Sequence, residues 1–185
     1  MDPDTETMNV KNILLVEDDL QDVKLTLAGL EESHLAGKVE VVRDGAEALD
    51  YLYRRRNFKT RPLGNPILVL LDNKMPKVSG LQVLKTIKTD ERLKTIPVVA
   101  LTSSRETRDL IEFYKYGVNA YVVKPMDFSA YMEAIKQLGA FWANVNEPPP
   151  VVWREETSIQ NTEVISRGKI EVKNETPTPH FALGG

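Results

Sequence analysis

Four short apolar runs, each ending abruptly in polar or charged residues, constrain this chain more than any other feature. Ile13-Leu14-Leu15-Val16 stops at Glu17-Asp18-Asp19, and the run from Ile67 to Leu71 stops at Asp72. Val98-Val99-Ala100-Leu101 gives way to Thr102-Ser103-Ser104, and Tyr121-Val122-Val123 to Lys124-Pro125. Each run is short, rich in branched side chains and free of charge, as a parallel strand buried on both faces requires. Open α/β sheets bind ligands beyond the carboxyl ends of their strands, where the topology switches. Parallel pairing would therefore gather Glu17, Asp18, Asp72, Thr102 and Lys124 at one sheet edge. An acidic pocket with one hydroxyl and one ammonium suits a hard cation beside a phosphoryl group.

Between these runs the apolar period lengthens to that of a helix. Leu20, Val23, Leu27 and Leu30 predict a first helical face, and Ala46, Ala48, Leu49 and Leu52 a second, with Asp44 as its cap. Leu81, Val83, Leu84 and Ile87 predict the third face. Leu110, Ile111, Phe113 and Tyr114 predict the fourth, which stops near Gly117. Phe128, Tyr131, Ile135, Leu138, Phe141 and Trp142 mark the last. The predicted strands are 11–16, 38–43, 67–71, one opening after Pro97, and Ala120–Val123. Five strand–helix pairs in the first ~145 residues make the alternation of a doubly wound α/β sheet. From Asn146 the composition turns to Pro, Thr, Glu and Asn, beginning with Glu147-Pro148-Pro149-Pro150. Residues 147–185 are expected to be a flexible extension and 1–9 a polar tail, because neither holds enough apolar surface for a core.

Composition removes several function classes. A hydrophobic content of 42% supports a real core, while a formal net charge of -3 argues against binding nucleic acid through bulk electrostatics. The absence of cysteine excludes disulfides, thiolate nucleophiles and thiolate metal sites. No run approaches the ~20 apolar residues of a membrane span, and residues 1–9 lack a signal-like apolar stretch. The expectation is a soluble cytoplasmic protein without a membrane or nucleic-acid partner.

Each pocket residue also has a plain structural alternative. Glu17-Asp18-Asp19 can be a solvated acidic turn, and Thr102, Ser103 or Ser104 can cap the following helix. Lys124 can be an ordinary exposed strand end, and Pro125 permits a cis bond before it. Asp72 is a poor cap, since Met75-Pro76 postpones the next helix. A carboxylate beside Mg²⁺ can act as a nucleophile and form an aspartyl phosphate.

The set Leu15-Val16-Glu17-Asp18-Asp19, Leu71-Asp72-Asn73-Lys74-Met75-Pro76, Leu101-Thr102-Ser103 and Val123-Lys124-Pro125 resembles the receiver domain of two-component response regulators. The resemblance covers residues 10–146, and Asp44-Gly45-Ala46-Glu47-Ala48-Leu49 agrees with it. It implies a flavodoxin-like, five-stranded parallel sheet of order 2-1-3-4-5 with five helices. Within the family, Tyr114-Lys115-Tyr116-Gly117-Val118-Asn119-Ala120-Tyr121 and Phe141-Trp142 resemble the phytochrome-associated, single-domain type.

By that resemblance Asp72 is the phosphoacceptor. Asp18, Asp72 and the Lys74 backbone carbonyl bind Mg²⁺, with Glu17 acting directly or through water. Thr102 and Lys124 contact the phosphoryl group, and Tyr121 is an aromatic switch that turns inward on activation. Such a chain is a phosphoacceptor switch and not an enzyme with its own substrate. The implied partners are a sensor histidine kinase, of the bacteriophytochrome kind, and a second copy of the chain. The homodimer is expected through the fourth helix, fifth strand and fifth helix, because the last helix is richer in large apolar residues than one sheet face requires.

Other classes fit less well. Arg54-Arg55-Arg56 reads as a solvated helix end, and the aromatic set of the last helices as core or interface, not a flavin site. An aspartate-nucleophile phosphatase would carry a second acid where this chain has Lys74. A transcription factor would need a helix–turn–helix after Asn146, and no such pattern is present.

Overall fold

The computed structural model describes residues 12–31 and 39–147. The tail at 1–9 and the extension from 148 onward, with Val151-Val152-Trp153 and Phe181, lie outside the described residues. The strands are β1 (Ile13–Val16), β2 (Val39–Val42), β3 (Leu68–Leu71), β4 (Val98–Thr102) and β5 (Ala120–Val123). The helices between and after them are α1 (Leu20–Glu31), α2 (Gly45–Leu52), α3 (Gly80–Thr89), α4 (Thr107–Lys115) and α5 (Phe128–Ala140). The strands form one sheet of order β2-β1-β3-β4-β5, parallel throughout. This is the flavodoxin-like arrangement that the resemblance implied, and its topology reverses between β1 and β3.

Strand periodicity divides the core in two. Leu14, Val16, Val69, Leu71, Val98 and Ala100 point to one face, where Leu52, Val83, Leu84, Ile87 and Phe113 of α2, α3 and α4 cover them. Ile13, Leu15, Leu68, Leu70, Val99 and Leu101 point to the other, under Val23, Leu30, Tyr131 and Ile135 of α1 and α5. Both faces of β1, β3 and β4 are therefore dry, which is why their sequences read as unbroken apolar runs. β5 is an edge strand and stays partly exposed along its whole length.

Local chemistry sets the helix starts. Asp19 Oδ1 accepts the amides of Gln21 (2.7 Å) and Asp22 (3.1 Å), so Asp19 caps α1 and is thereby set apart from Glu17 and Asp18. Asp44 caps α2 by accepting from Glu47 N, and Ser79 with Gln82 forms a reciprocal capping box on α3. Asp127 caps α5. At the end of α2, Arg54 takes the left-handed conformation (φ 54), while Arg54 N donates to Tyr51 O and Arg55 N to Asp50 O. Arg54 and Arg55 thus close the helix with a Schellman turn, and Arg56 opens the 3-10 turn that follows.

Three helical faces differ from the periodicity. In α1, Leu20 is 58% exposed, and Thr26 and Gly29 are buried beside Val23 and Leu30. A Cβ on Gly29 would lie 2.7 Å from Ile135 Cγ2, so glycine allows α1 to pack directly on α5. Thr26 Oγ1 and the Tyr131 hydroxyl complete that seam with a buried 2.8 Å hydrogen bond. In α4 only Phe113 is buried; Leu110, Ile111 and Tyr114 face out, because the helix lies over the β5 edge and meets the core with one row. In α5, Tyr131 and Ile135 are buried, Leu138 and Trp142 are partly buried, and Phe128 and Phe141 are exposed. A π-helical turn, Phe141–Val145, ends that helix. Among the described residues no helix is long and apolar enough to cross a membrane.

Candidate functional site

Parallel pairing brings the ends of β1, β3, β4 and β5 together, as the run boundaries predicted. Glu17 and Asp18 leave β1, Asp72 leaves β3, Thr102 ends β4 and Lys124 follows β5. Glu17, Asp72 and Thr102 are buried and Asp18 is half-buried, while Asp19 faces solvent. One carboxylate oxygen from each of Glu17, Asp18 and Asp72 lies within 4.8 Å of the others.

The Lys124 ammonium sits against this cluster. It donates to Glu17 Oε2 at 2.6 Å and Asp22 Oδ2 at 2.7 Å, and it lies 3.2 Å from Asp72 Oδ1. With its side chain only 9% exposed, Lys124 is not the exposed strand end of the structural alternative. The peptide bond before Pro125 is trans, since no cis bond occurs among the described residues. Burial pulls the ammonium's pKa down, but Asp72, Asp22 and Glu17 outweigh it and hold it above the ordinary lysine range.

Asp72 Oδ2 accepts the Lys74 amide at 2.8 Å, which fixes the carboxylate's rotation. The Lys74 side chain lies on the solvent side, its ammonium 3.8 Å from Glu106. Thr102 Oγ1 accepts from Ser104 N at 3.2 Å, so the hydroxyl hydrogen stays available to a ligand oxygen. Neither Ser103 nor Ser104 is the α4 cap; that position is Glu106, without a side-chain bond. Tyr121 packs edge to face on Phe113, with centroids 5.4 Å apart, and its hydroxyl donates to Ser104 O at 3.2 Å. In this packing Tyr121 stays partly exposed.

Three participants were not legible as site residues. Arg43, before the α2 cap, donates Nε to Glu17 O at 3.1 Å and an Nη to Asp18 O, clamping the acidic turn from below. Asp22 reaches Lys124 from the first turn of α1. Asn73, beside the acceptor, donates to Asp109 Oδ2 of α4 (3.0 Å), which also accepts from Ser104 Oγ (2.7 Å). Only Asp22 carried a sequence signal, one helical turn beyond Asp18.

The donor set fits Mg²⁺. It is all oxygen, with more carboxylates than one lysine balances, and the cluster already draws an ammonium into its midst. Glu17, Asp18 and Asp72 would hold the ion, which would supply charge neutralisation at an attached phosphoryl group.

Burial pushes the Glu17 carboxyl up to about 7, against the opposing pull of Lys124 and with a further push from Asp72. Its folded pKa lies above the unfolded value of 4.5, so this group favours the folded state below about pH 4.5. That contribution is lost as pH rises through about 7. A metal ion held directly by Glu17 would have to displace the same proton. Mg²⁺ affinity, measured by calorimetry, should therefore be roughly tenfold weaker at about pH 6 than at about pH 8. Glu17→Gln should flatten this dependence.

A chain with this sheet order and this cluster of carboxylates, hydroxyl and lysine also matches a known family by sequence. The response regulator receiver domain model aligns with residues 13–136. The chain belongs to the response regulator receiver family. This receiver is 36% identical over 132 residues to response regulator Rcp1 of Synechocystis, covering 71% of this chain and 88% of that protein. The crystal structure of Mn(2+)-bound Rcp1 superposes with a TM-score of 0.71 at 34% identity, over 76% of this chain and 99% of that one. The phosphorylated cyanobacterial phytochrome response regulator RcpA gives a TM-score of 0.71 at 36% identity, with the same coverage. The bacteriophytochrome response regulator RtBRR is 56% identical with a TM-score of 0.61, covering 76% of this chain and 85% of its own. Relatives of this receiver thus include phytochrome and bacteriophytochrome response regulators.

Proposed function

We propose that this receiver is a single-domain response regulator that accepts a phosphoryl group onto Asp72 in the presence of Mg²⁺. The donor is a sensor histidine kinase, by kinship of the bacteriophytochrome kind. One observation carries the reading: Asp72 belongs to an oxygen cluster suited to a dication and lies 3.2 Å from the Lys124 ammonium. The carboxylate attacks phosphorus, the bond to the donor breaks, and the leaving group departs with its electron pair. Lys124 and Thr102 then face the new phosphoryl oxygens, while Glu17, Asp18, Asp72 and the Lys74 carbonyl would hold the metal ion, which would supply charge neutralisation there. The metal-bound relative Rcp1 and the phosphorylated relative RcpA support this assignment. The chain has no substrate of its own beyond slow hydrolysis of its aspartyl phosphate.

The functional unit spans 10–146, works in the cytoplasm without nucleic acid or membrane, and pairs as a homodimer through α4, β5 and α5. The exposed Leu110, Ile111 and Tyr114 support that face. Incubation with acetyl phosphate, with and without Mg²⁺, followed by mass mapping, tests the reading. Label confined to the peptide holding Asp72, and dependent on Mg²⁺, is expected; label elsewhere, or none, overturns it.

The output rests on Tyr121 choosing between two packings when Thr102 and Lys124 are drawn to the phosphoryl group. Lys124→Ala should still accept phosphoryl in part, yet leave amide exchange over α4, β5 and α5 unchanged on phosphorylation. A full exchange response in that variant refutes the linkage.

A further inference from the structure

Lys124 has three carboxylate partners, and they are not equivalent. Glu17 and Asp72 belong to the oxygen cluster that would hold a divalent ion; Asp22 does not. Asp22 is also firmly placed. Its amide is tied to the Asp19 cap at 3.1 Å, and its neighbour Val23 is buried. The Thr26–Tyr131 bond anchors the next turn of α1 to α5, the helix that follows Lys124 in the chain. The ammonium therefore has one seat outside the ligand cluster, built on the first turn of α1.

We infer that Asp22 is a positioning residue that draws the Lys124 ammonium away from the ligand carboxylates and competes with the phosphoryl oxygens for it. The inference rests on the phosphoacceptor reading of Asp72 and adds to it a residue that sets the balance between its two states. With Asp22 present, a divalent ion meets less competition from Lys124 for Glu17 and Asp72. With Asp22 present, a phosphoryl group must also pull the ammonium from a partner at 2.7 Å. The same residue thus helps the metal and opposes the anion.

Asp22→Asn keeps the shape and removes the charge. Calorimetry on the full chain would titrate Mg²⁺ alone, then beryllofluoride at saturating Mg²⁺ as the phosphoryl probe. The variant should bind Mg²⁺ about threefold more weakly and beryllofluoride about threefold more tightly, the scale of one partly exposed charge pair. Opposite signs separate positioning from loss of fold, which weakens both. In a Lys124→Ala background the gain for beryllofluoride should vanish. Any pattern other than opposite shifts, or a gain that persists without Lys124, overturns the inference. If the unsubstituted chain binds neither probe, the phosphoacceptor reading itself falls, and the inference with it.

Discussion

Asp72→Asn should take up no phosphoryl group from acetyl phosphate or from a kinase, under conditions where the unsubstituted chain is fully labelled. An amide keeps the side-chain volume and the bond from Lys74 N, but lacks the nucleophilic oxygen charge. Two neighbouring carboxylates are poorly placed to substitute. Glu17 is engaged by Lys124 at 2.6 Å and burial favours its protonated form, while Asp19 is committed to capping α1. The lost charge should also weaken Mg²⁺ binding about tenfold or more. A unit charge ~4 Å from a dication is worth ~2 kcal/mol even at water's dielectric constant. Mass mapping and calorimetry read the two effects separately. Residual label at unchanged stoichiometry would show that another side chain is the acceptor.

Gly80→Ala should be the most damaging small substitution in the described residues. A Cβ at this position would lie 2.0 Å from the Asp72 carbonyl oxygen and 2.9 Å from Asn73 Cα. These are backbone atoms, and Gly80 N already holds Asn73 O at 3.0 Å, so the loop has no flexible side chain to move aside. Overpacking typically costs 1–3 kcal/mol, and against backbone about 3 kcal/mol or more is expected. That corresponds to roughly 10 °C in Tm for a domain of this size. Because the displaced atoms carry the acceptor, phosphoryl uptake should fall in the same variant even well below its Tm. A thermal scan within about 1 °C of the unsubstituted chain would contradict the close approach. Gly45 meets the same loop from α2, 2.2 Å from Val78 O, and Gly45→Ala should behave alike.

The comparison of α1 with β1 shows where sequence reading succeeds and where it stops. Ile13-Leu14-Leu15-Val16 is buried on both faces, so every position is apolar and the strand, its neighbours and its abrupt polar end are visible without coordinates. The same logic located Glu17, Asp18, Asp72, Thr102 and Lys124, because strand ends in a parallel sheet share an edge by topology alone. In α1 the reading chose Leu20 over Thr26 and Gly29. Apolar character was the signal, whereas the α1–α5 contact selects small size and a matched hydroxyl pair. The outward turn of Leu110, Ile111 and Tyr114 escaped for a related reason, since periodicity does not say how much of a helix its sheet can cover.

The amino-acid sequence by itself therefore determined the alternation of strand and helix, a parallel sheet, and which polar side chains stand at its strand ends. These follow from hydrophobic period and chain connectivity, which are one-dimensional properties. Only the tertiary structure decided that Arg43 clamps the acidic turn, that Asp109 links Asn73 to Ser104, and that Lys124 divides itself among three carboxylates. Those contacts join residues distant in the chain through side-chain reach and direction. A charged residue on a helix or loop looks the same in sequence whether it meets water or an ammonium at 2.7 Å.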